Sequence, residues 1–489
     1  MGREENAMKV EHLARISRQA WGLAIASLAA VVLVAMVAGC GGKEETPSGT
    51  PKATATGTAR PTVAATGTAK PTVAATATAK PTAAATATAT PTAAATSTAG
   101  PTAAATATTV PVTPGPGISD TEIVLGAEAI LSGGMGAVYA TIPNTVGAYF
   151  NYINDTEGGV CGRKIVYRLE DNGDDPAKAV EAARKLVEKD KVFATVCNLG
   201  DAPHAASWEY FNQMGVPDII AAGGHRFGTD PQGHPWTVQM IPSYTVEGTF
   251  YGQYISENLP GKKVAVLWET SAAGVDGLAG LKRGLDASKN QIVADQSYHN
   301  GDVSIASQMA SLRDSNAEVV VLFSSPGFTA QAITTADRAD WHPQWVMSYI
   351  NSDDMMFQFV PAELLKGTIT FQALKLAGWR DDPAVARHFD IMQKYDGPTP
   401  TNFTIFGQVV AEVTVEALKR SCDNLTREGF IEALESLHDF HTDLMLDDVN
   451  VSFSDNDHVG FQTGHMLRVT VDNGKGKFEY FGPLLEFQE

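Results

Sequence analysis

From Gly41 to Gly117 the chain contains no Leu, Ile or aromatic residue. Within that stretch a proline recurs at 51, 61, 71, 81, 91, 101 and 111, an unbroken period of ten, in decapeptides such as "PTVAATGTAK" and "PTAAATATAT". A segment with so little apolar surface cannot offset the entropy of ordering its backbone, so residues 40–116 are expected to be a disordered tether. Each proline fixes its own φ and biases the residue before it toward extended conformations. Fully extended in polyproline-like form, the tether reaches roughly 200 Å. Its Thr- and Pro-rich composition also suits O-glycosylation. The period is too short and too polar for a solenoid. Any folded body is confined to the chain from Gly117 onward.

The segment before the tether has three parts. Arg15 and Arg18 supply positive charge, Trp21 to Val37 is apolar or small throughout, and the run ends in "VAGC", Val37 to Cys40. This order describes a signal peptide over residues 1–39. The apolar run is at the short end for a membrane span, and no Lys/Arg stop-transfer cluster follows it. An uncleaved signal anchor is the competing reading. Met8 competes with Met1 as the start.

From Gly117 the pattern changes. Thr121 to Ala127 reads as a strand, Asn144 to Asn154 as a helix and "RKIVYRLEDNG" as a second strand. "DPAKAVEAARKLVEKDK" reads as a helix, with Asp175 as its cap, Pro176 in its first turn and Val180, Ala183, Leu186 and Val187 on one face. The alternation continues through "VFATVCNLG", "VPDIIAAGG", "KKVAVLWET", "AEVVVLFSSPG" and "HPQWVMSYI". Strands alternating with helices imply parallel sheets with right-handed crossovers. There are too many units for one small sheet, so two doubly wound α/β lobes are expected.

In such sheets ligands bind beyond the carboxyl ends of the strands. Those ends are "LSGGMG" (131–136), "CNLGDAP" (197–203), "AAGGHRF" (221–227), "ETSAAG" (269–274), "SSPGF" (324–328) and "SYINSDD" (348–354). Most are Gly-rich or carry Ser or Thr. Glycines let backbone N–H groups approach a ligand, and helix starts favour anions. Any βα turn is rich in these residues, so the weight lies in six of them in register.

The ordered segments "GGVCGRKIVYRLEDNGDDPAKAVEAARKLVEKDKVFATV", "GVPDII", "HPWTVQMIPSYTVEG" and "CDNLTREGFIEALESL" resemble substrate-binding proteins of branched-chain-amino-acid-type ABC transporters, the type I periplasmic binding proteins. "VAGC" likewise resembles the lipobox of bacterial lipoproteins, which implies that Cys40 is lipidated and becomes the first residue. The resemblance covers residues 117–489. It implies two Rossmann-like lobes joined by three crossovers, expected near Pro242–Ser243, near Tyr349–Ile350 and near Leu444. Lobe 1 would then be about 118–243 with 350–443, and lobe 2 about 244–349 with 444–489. The ligand positions it implies are Ser132, Gly133, Asn198, Leu199, Gly200, Asp201, Ala222, Gly223, Gly224, His225, Ser271, Ala272, Ser324 and Ser325. Three of them depart from the family pattern. Asp201 stands where relatives often carry Ser or Thr to bond a ligand carboxylate. "SAAG" lacks the usual aromatic residue, and "SSPGF" lacks the acidic residue that holds an ammonium group. The solute is therefore an amino acid, or equally an aromatic, carboxylate or amide compound. His225 is a ligand contact or a capping histidine, and Arg226 is read as a solvated charge.

Enzyme signatures are absent: no GxSxG, HExxH or P-loop motif occurs, and "GGMGAVYA" is not GxGxxG. "LHDFHTD" puts His438 and His441 near Asp439 and Asp443 at what reads as a fraying helix end, and a structural role is expected. No metal or other cofactor is implied. With 36 Lys and Arg against 55 Asp and Glu the net charge is -19, which argues against nucleic acid as a partner. The four cysteines are Cys40, Cys161, Cys197 and Cys422, none in a CxxC pair. Cys161 precedes the second strand and Cys422 ends the helix Phe406 to Arg420, which places both at the amino edge of a sheet. Cys197 ends a strand at the opposite edge. Strands are roughly 17–20 Å long and disulfide Cα atoms lie within about 7 Å, so a Cys161–Cys422 bond with Cys197 free is expected. Cys161–Cys197 is the alternative, and export permits either. These readings lead to an extracytoplasmic, membrane-anchored, monomeric solute receptor with ABC permease subunits as partners. A ligand sensor that presents its solute to a signalling partner is the alternative.

Overall fold

The computed structural model describes residues 115–220, 227–241 and 243–487. The expected signal peptide, Cys40 and tether lie outside the described residues, and so does the turn 221–226. The first half of the chain runs β1 (Glu122–Ala129), α1 (Gly133–Tyr139), α2 (Thr141–Thr156), β2 (Lys164–Asp171), α3 (Pro176–Arg184), β3 (Ala194–Asn198), α4 (Asp201–Gln213), β4 (Asp218–Ile220) and β5 (Thr237–Gln239). Next come α5 (Tyr244–Asn258), β6 (Lys263–Glu269), α6 (Ala272–Gly284), β7 (Gln291–Tyr298), α7 (Ala306–Asp314), β8 (Val319–Phe323), α8 (Pro326–Arg338) and β9 (Gln344–Met347). The remainder is α9 (Met356–Phe359), α10 (Ala362–Leu365), β10 (Ile369–Gln372), α11 (Pro383–Lys394), α12 (Asn402–Arg420), α13 (Arg427–Glu435), β11 (Thr463–Asp472) and β12 (Lys475–Glu486).

Two sheets result. The first has strand order β2-β1-β3-β4-β5 and is parallel throughout. The second has order β12-β11-β10-β9-β8-β6-β7, with β11 and β12 antiparallel at one edge. Local chemistry explains much of this. Asp175 Oδ1 accepts the Ala177 N–H at 2.8 Å and caps α3 beside Pro176. The helix expected through Lys189 loosens into a π turn at Lys185–Lys189, where Leu186 and Val187 are both buried. Asn473 and Gly474 both have positive φ and close the two-residue β11–β12 hairpin. Helices α5 and α6 pack nearly backbone to backbone. A Cβ on Gly280 would lie 2.2 Å from the Thr245 carbonyl oxygen.

Sheet membership corrects two of the expected crossovers. Ile369–Gln372 pairs with β9 and β11, so the chain beyond Tyr349–Ile350 stays in lobe 2 until Gln372. Ala373 and Leu374 then join the lobe 1 core, as do Leu444, Met445, Val451 and Phe461. The last crossing therefore falls between Phe461 and Thr463 rather than at Leu444. The reason is that β10 has only four residues and is a strand through its neighbours, a property that local propensity does not report. Lobe 1 comprises about 115–241 and 373–461; lobe 2 comprises about 243–372 and 463–487.

Cys161 and Cys422 form a disulfide with Cα atoms 5.4 Å apart, and Cys197 is a free, buried thiol. Helix α13 ends at Glu435, so His438 and His441 lie beyond it, and His441 Nδ1 bonds the Val449 carbonyl oxygen at 2.9 Å. Among the described residues no helix is long and apolar enough to cross a membrane.

Candidate functional site

Each sheet has a point where its strand order reverses: between β1 and β3 in lobe 1, and between β6 and β8 in lobe 2. Crevices for ligands open outside the carboxyl ends at such points. Here the two crevices face each other. Ile130 and Leu199–Ala202 from lobe 1, with Glu269–Ser271, Ser324 and Ser325 from lobe 2, wall one cavity of about 380 Å³. The lobes touch beside it, where the Ala273 N–H in the first turn of α6 donates to Asp201 Oδ2 at 3.2 Å.

Of the residues expected here, Leu199, Gly200, Asp201, Ser271, Ser324 and Ser325 line the cavity. Asn198 does not. It is fully buried behind the wall, where Nδ2 donates to Asp218 Oδ1 at 2.7 Å and Oδ1 accepts the Glu128 N–H at 2.9 Å. A bulge and a φ of +73° at Cys197 separate it from Val196. Asn198 therefore positions the turn and does not touch its contents. Ala272 is replaced in the wall by Ala273. Ser132 and Gly133 are exposed and outside the cavity. The Leu131 and Ser132 N–H groups both donate to Asp171 Oδ1, which pins that turn over the end of β2. One helix later, Tyr139 reaches the cavity instead. Ala222, Gly223, Gly224, His225 and Arg226 lie outside the described residues.

Sequence reading missed the rest of the wall. Asp174 follows β2 and Glu269 ends β6, both at the ligand-facing edge. Either was findable by treating the end of β2 as a seventh turn and the first residue of "ETSAAG" as part of its loop. Of the aromatic wall, Tyr349 lies in "SYINSDD" at the carboxyl end of β9, whereas Tyr139, Tyr244, Phe403 and Phe406 come from helices and have no comparable signal. Tyr244 and Tyr349 stack at 5.8 Å, and Tyr139 meets Phe403 edge-on at 5.7 Å.

The carboxyl groups here are poorly solvated. Burial pushes Asp201 up to about 6, against the Ala273 N–H, while Asp276 and Glu269 push the same way and His204 opposes. Glu269 is also raised, mainly by burial, although the Tyr298 hydroxyl donates to its Oε2 at 3.0 Å. Burial raises Asp174. Asp174, Asp201, Glu269 and Tyr139 line the same cavity, and all three carboxylates push the Tyr139 phenol up beyond what burial does. Asp353 differs. It lines the cavity but accepts the Met355 and Asn402 N–H groups at 2.8 and 2.6 Å. Behind the wall Glu247 is pushed up to about 7 by burial and braces the next turn, accepting from the Tyr251 hydroxyl at 2.7 Å and the Tyr349 N–H at 2.6 Å. No Lys or Arg lines the cavity among the described residues. No group of three His, Cys, Asp or Glu among them could hold a metal ion.

The sequence description of the family "Periplasmic binding protein" matches residues 122–476. An amino acid binding protein of Pseudomonas aeruginosa is 29% identical over 167 residues, 33% of this chain and 43% of that protein. The match thus spans less than half of that relative. A valine-bound branched-chain amino acid ABC transporter protein from Thermus thermophilus superimposes with a TM-score of 0.67 at 17% identity, covering 76% of this chain and 98% of that one. A fatty acid ABC transporter substrate-binding protein from Thermomonospora curvata gives 0.65 at 22% identity, over 77% and 95%. A solute-binding protein from Rhodopseudomonas palustris in complex with 3,4-dihydroxybenzoic acid gives 0.64 at 20%, over 75% and 97%. At these identities the likeness is one of fold, and the relatives are solute-binding proteins rather than enzymes.

Proposed function

Because the chain belongs to the periplasmic binding protein family, we propose that it is the extracytoplasmic solute receptor of an ABC importer. It captures a small organic solute between its lobes and presents the closed form to permease subunits. The observation that carries this reading is the single cavity walled by the carboxyl ends of both sheets, with the Asp201–Ala273 bond joining the lobes beside it. A solute held there contacts both lobes at once, so its binding energy favours closure. Within this reading Cys40 is the lipid attachment point, and the proline-metered tether carries the receptor near its permease.

Thermal denaturation of the mature chain against a broad panel of small solutes tests the capture step. A ligand that binds only the folded state at about 100 times its Kd adds about 2.7 kcal/mol, which appears as a raised Tm. A panel without any shift would refute capture. Mass spectrometry of the membrane fraction tests the anchor separately, since residues before Cys40 still attached would rule out lipoprotein processing.

A further inference from the structure

We propose that the cavity selects an organic cation, an ammonium or amidinium group on a largely apolar or aromatic body. The proposal rests on the solute-capture reading and names the chemical class captured. It starts from the helix ends. Helix starts attract anions because their N–H groups lack intrahelical partners and the dipole is positive there. Three of them open onto this cavity, and the chain's own side chains already engage those of α6 and α8. Asp201 lies in the first turn of α4, and its carboxylate accepts the Ala273 N–H at the start of α6. One side chain thereby supplies the negative charge that both helices favour. At the start of α8 the Ser325 N–H donates to the Tyr298 hydroxyl at 3.2 Å, and that hydroxyl donates to Glu269 at 3.0 Å. A ligand carboxylate would have to displace these bonds and then sit beside Asp174, Asp201 and Glu269.

A cation meets the opposite situation. Asp174, Asp201 and Glu269 line one cavity, Asp201 and Glu269 half-buried and Asp174 more open, and burial holds all three above their ordinary pKa. An incoming positive charge relieves both the burial cost and the like-charge crowding. The wall also carries the rings of Tyr139, Tyr244, Tyr349, Phe403 and Phe406, and His299 is the one basic side chain among its described residues. Aromatic rings attract cations through their quadrupoles, most strongly where water is excluded. Carboxylates and rings in one wall thus match the two halves of one amphipathic cation.

Choline and 3,3-dimethylbutan-1-ol have nearly the same shape and differ in charge. Both, with phenethylamine and agmatine as further cations, leucine as zwitterion and hexanoate, 3-phenylpropionate and 3,4-dihydroxybenzoate as anions, would be titrated into the mature chain at pH 7.5 by calorimetry and thermal shift. At least one cation is expected to raise the Tm, with the neutral isostere silent. Glu269→Gln and, independently, Asp201→Asn should each weaken that cation by about tenfold or more without lowering the Tm of the unliganded protein. If leucine or an anion binds and every cation fails, the cation proposal is overturned while solute capture stands. Equal binding of choline and its isostere also overturns it. If nothing in any class binds, the capture reading falls and takes the proposal with it.

Discussion

Two sets of carboxylates differ in their surroundings: one lies inside lobe 1, and the other lines the cavity, with Asp174 and Asp201 from lobe 1 and Glu269 from lobe 2. In the first, Glu128 and Asp218 flank His204, all three fully buried. His204 Nε2 lies 3.1 Å from Asp218 Oδ2, and Nδ1 lies 3.7 Å from Glu128 Oε1. Ser207 Oγ and Asn172 Nδ2 donate to Glu128, while Asn198 Nδ2 and Thr195 Oγ1 donate to Asp218. Burial alone would lower the His204 pKa, but Asp218 and then Glu128 outweigh it and raise it to about 9. In the second set, Asp201 and Glu269 are half-buried, Asp174 is exposed, and all three line the cavity. His204 belongs to the same helix as Asp201, one turn on. A buried acid enclosed by donors and a cation is part of the scaffold. An acid in the cavity wall is placed to meet a ligand.

The largest test of that contrast is His204→Ala. It leaves two carboxylates buried without their imidazolium, and urea unfolding should show a loss of about 3–5 kcal/mol. A loss below about 1 kcal/mol would mean that the first set is no scaffold.

The second test uses pH. The folded pKa of Asp201, near 6, exceeds its ordinary 3.8. Its contribution to stability is therefore full below about pH 4 and is lost as pH rises through 6. The groups facing it are Asp276, Glu269, His204 and the Ala273 N–H. Asp201→Asn should flatten the stability profile between pH 4 and 6 and raise stability at pH 7.5 by about 1–2 kcal/mol. Glu247, near 7, remains in the variant and supplies a residual slope. His204 has the same sign at higher pH. Raised from 6.5 to about 9, it stabilises fully below pH 6.5 and is lost as pH rises through 9, a decline that Asp201→Asn should retain and His204→Ala should lack. An unchanged Asp201→Asn profile would place Asp201 with the satisfied acids.

The smallest effect belongs to an acid outside both sets. Asp175 is exposed and caps α3, so Asp175→Ala should cost about 1 kcal/mol with no change in ligand binding. A larger loss would blur the distinction between capping and buried acids.

Legibility followed the range of the interactions. Strands β1, β2 and β3 and the capped helix α3 were readable because their periodicity and turn residues are local. The turns carrying Leu199 to Asp201, Ser271, Ser324 and Ser325 were readable because every carboxyl end of a parallel strand faces the crevice. Ser132 was misplaced because its loop is held by Asp171, 39 residues away. Strand β10 was assigned to the wrong lobe because four residues carry too little pattern to declare a sheet. The departures at Asp201 and in "SAAG" were visible as departures. That the two turns bond each other across the lobes was not visible, since the donor is a backbone N–H that every residue but proline possesses.

By itself the sequence determined that strands and helices alternate beyond Gly117 and that small, polar turns collect at one edge of the sheets. These outcomes rest on apolar content, hydrophobic period and the demands of tight turns, all short-range properties of the chain. Tertiary structure alone decided which turns share a cavity, where the chain changes lobes, and which acids are satisfied. Those outcomes depend on donors and aromatic faces brought together from residues far apart in sequence, and on the water that their packing excludes.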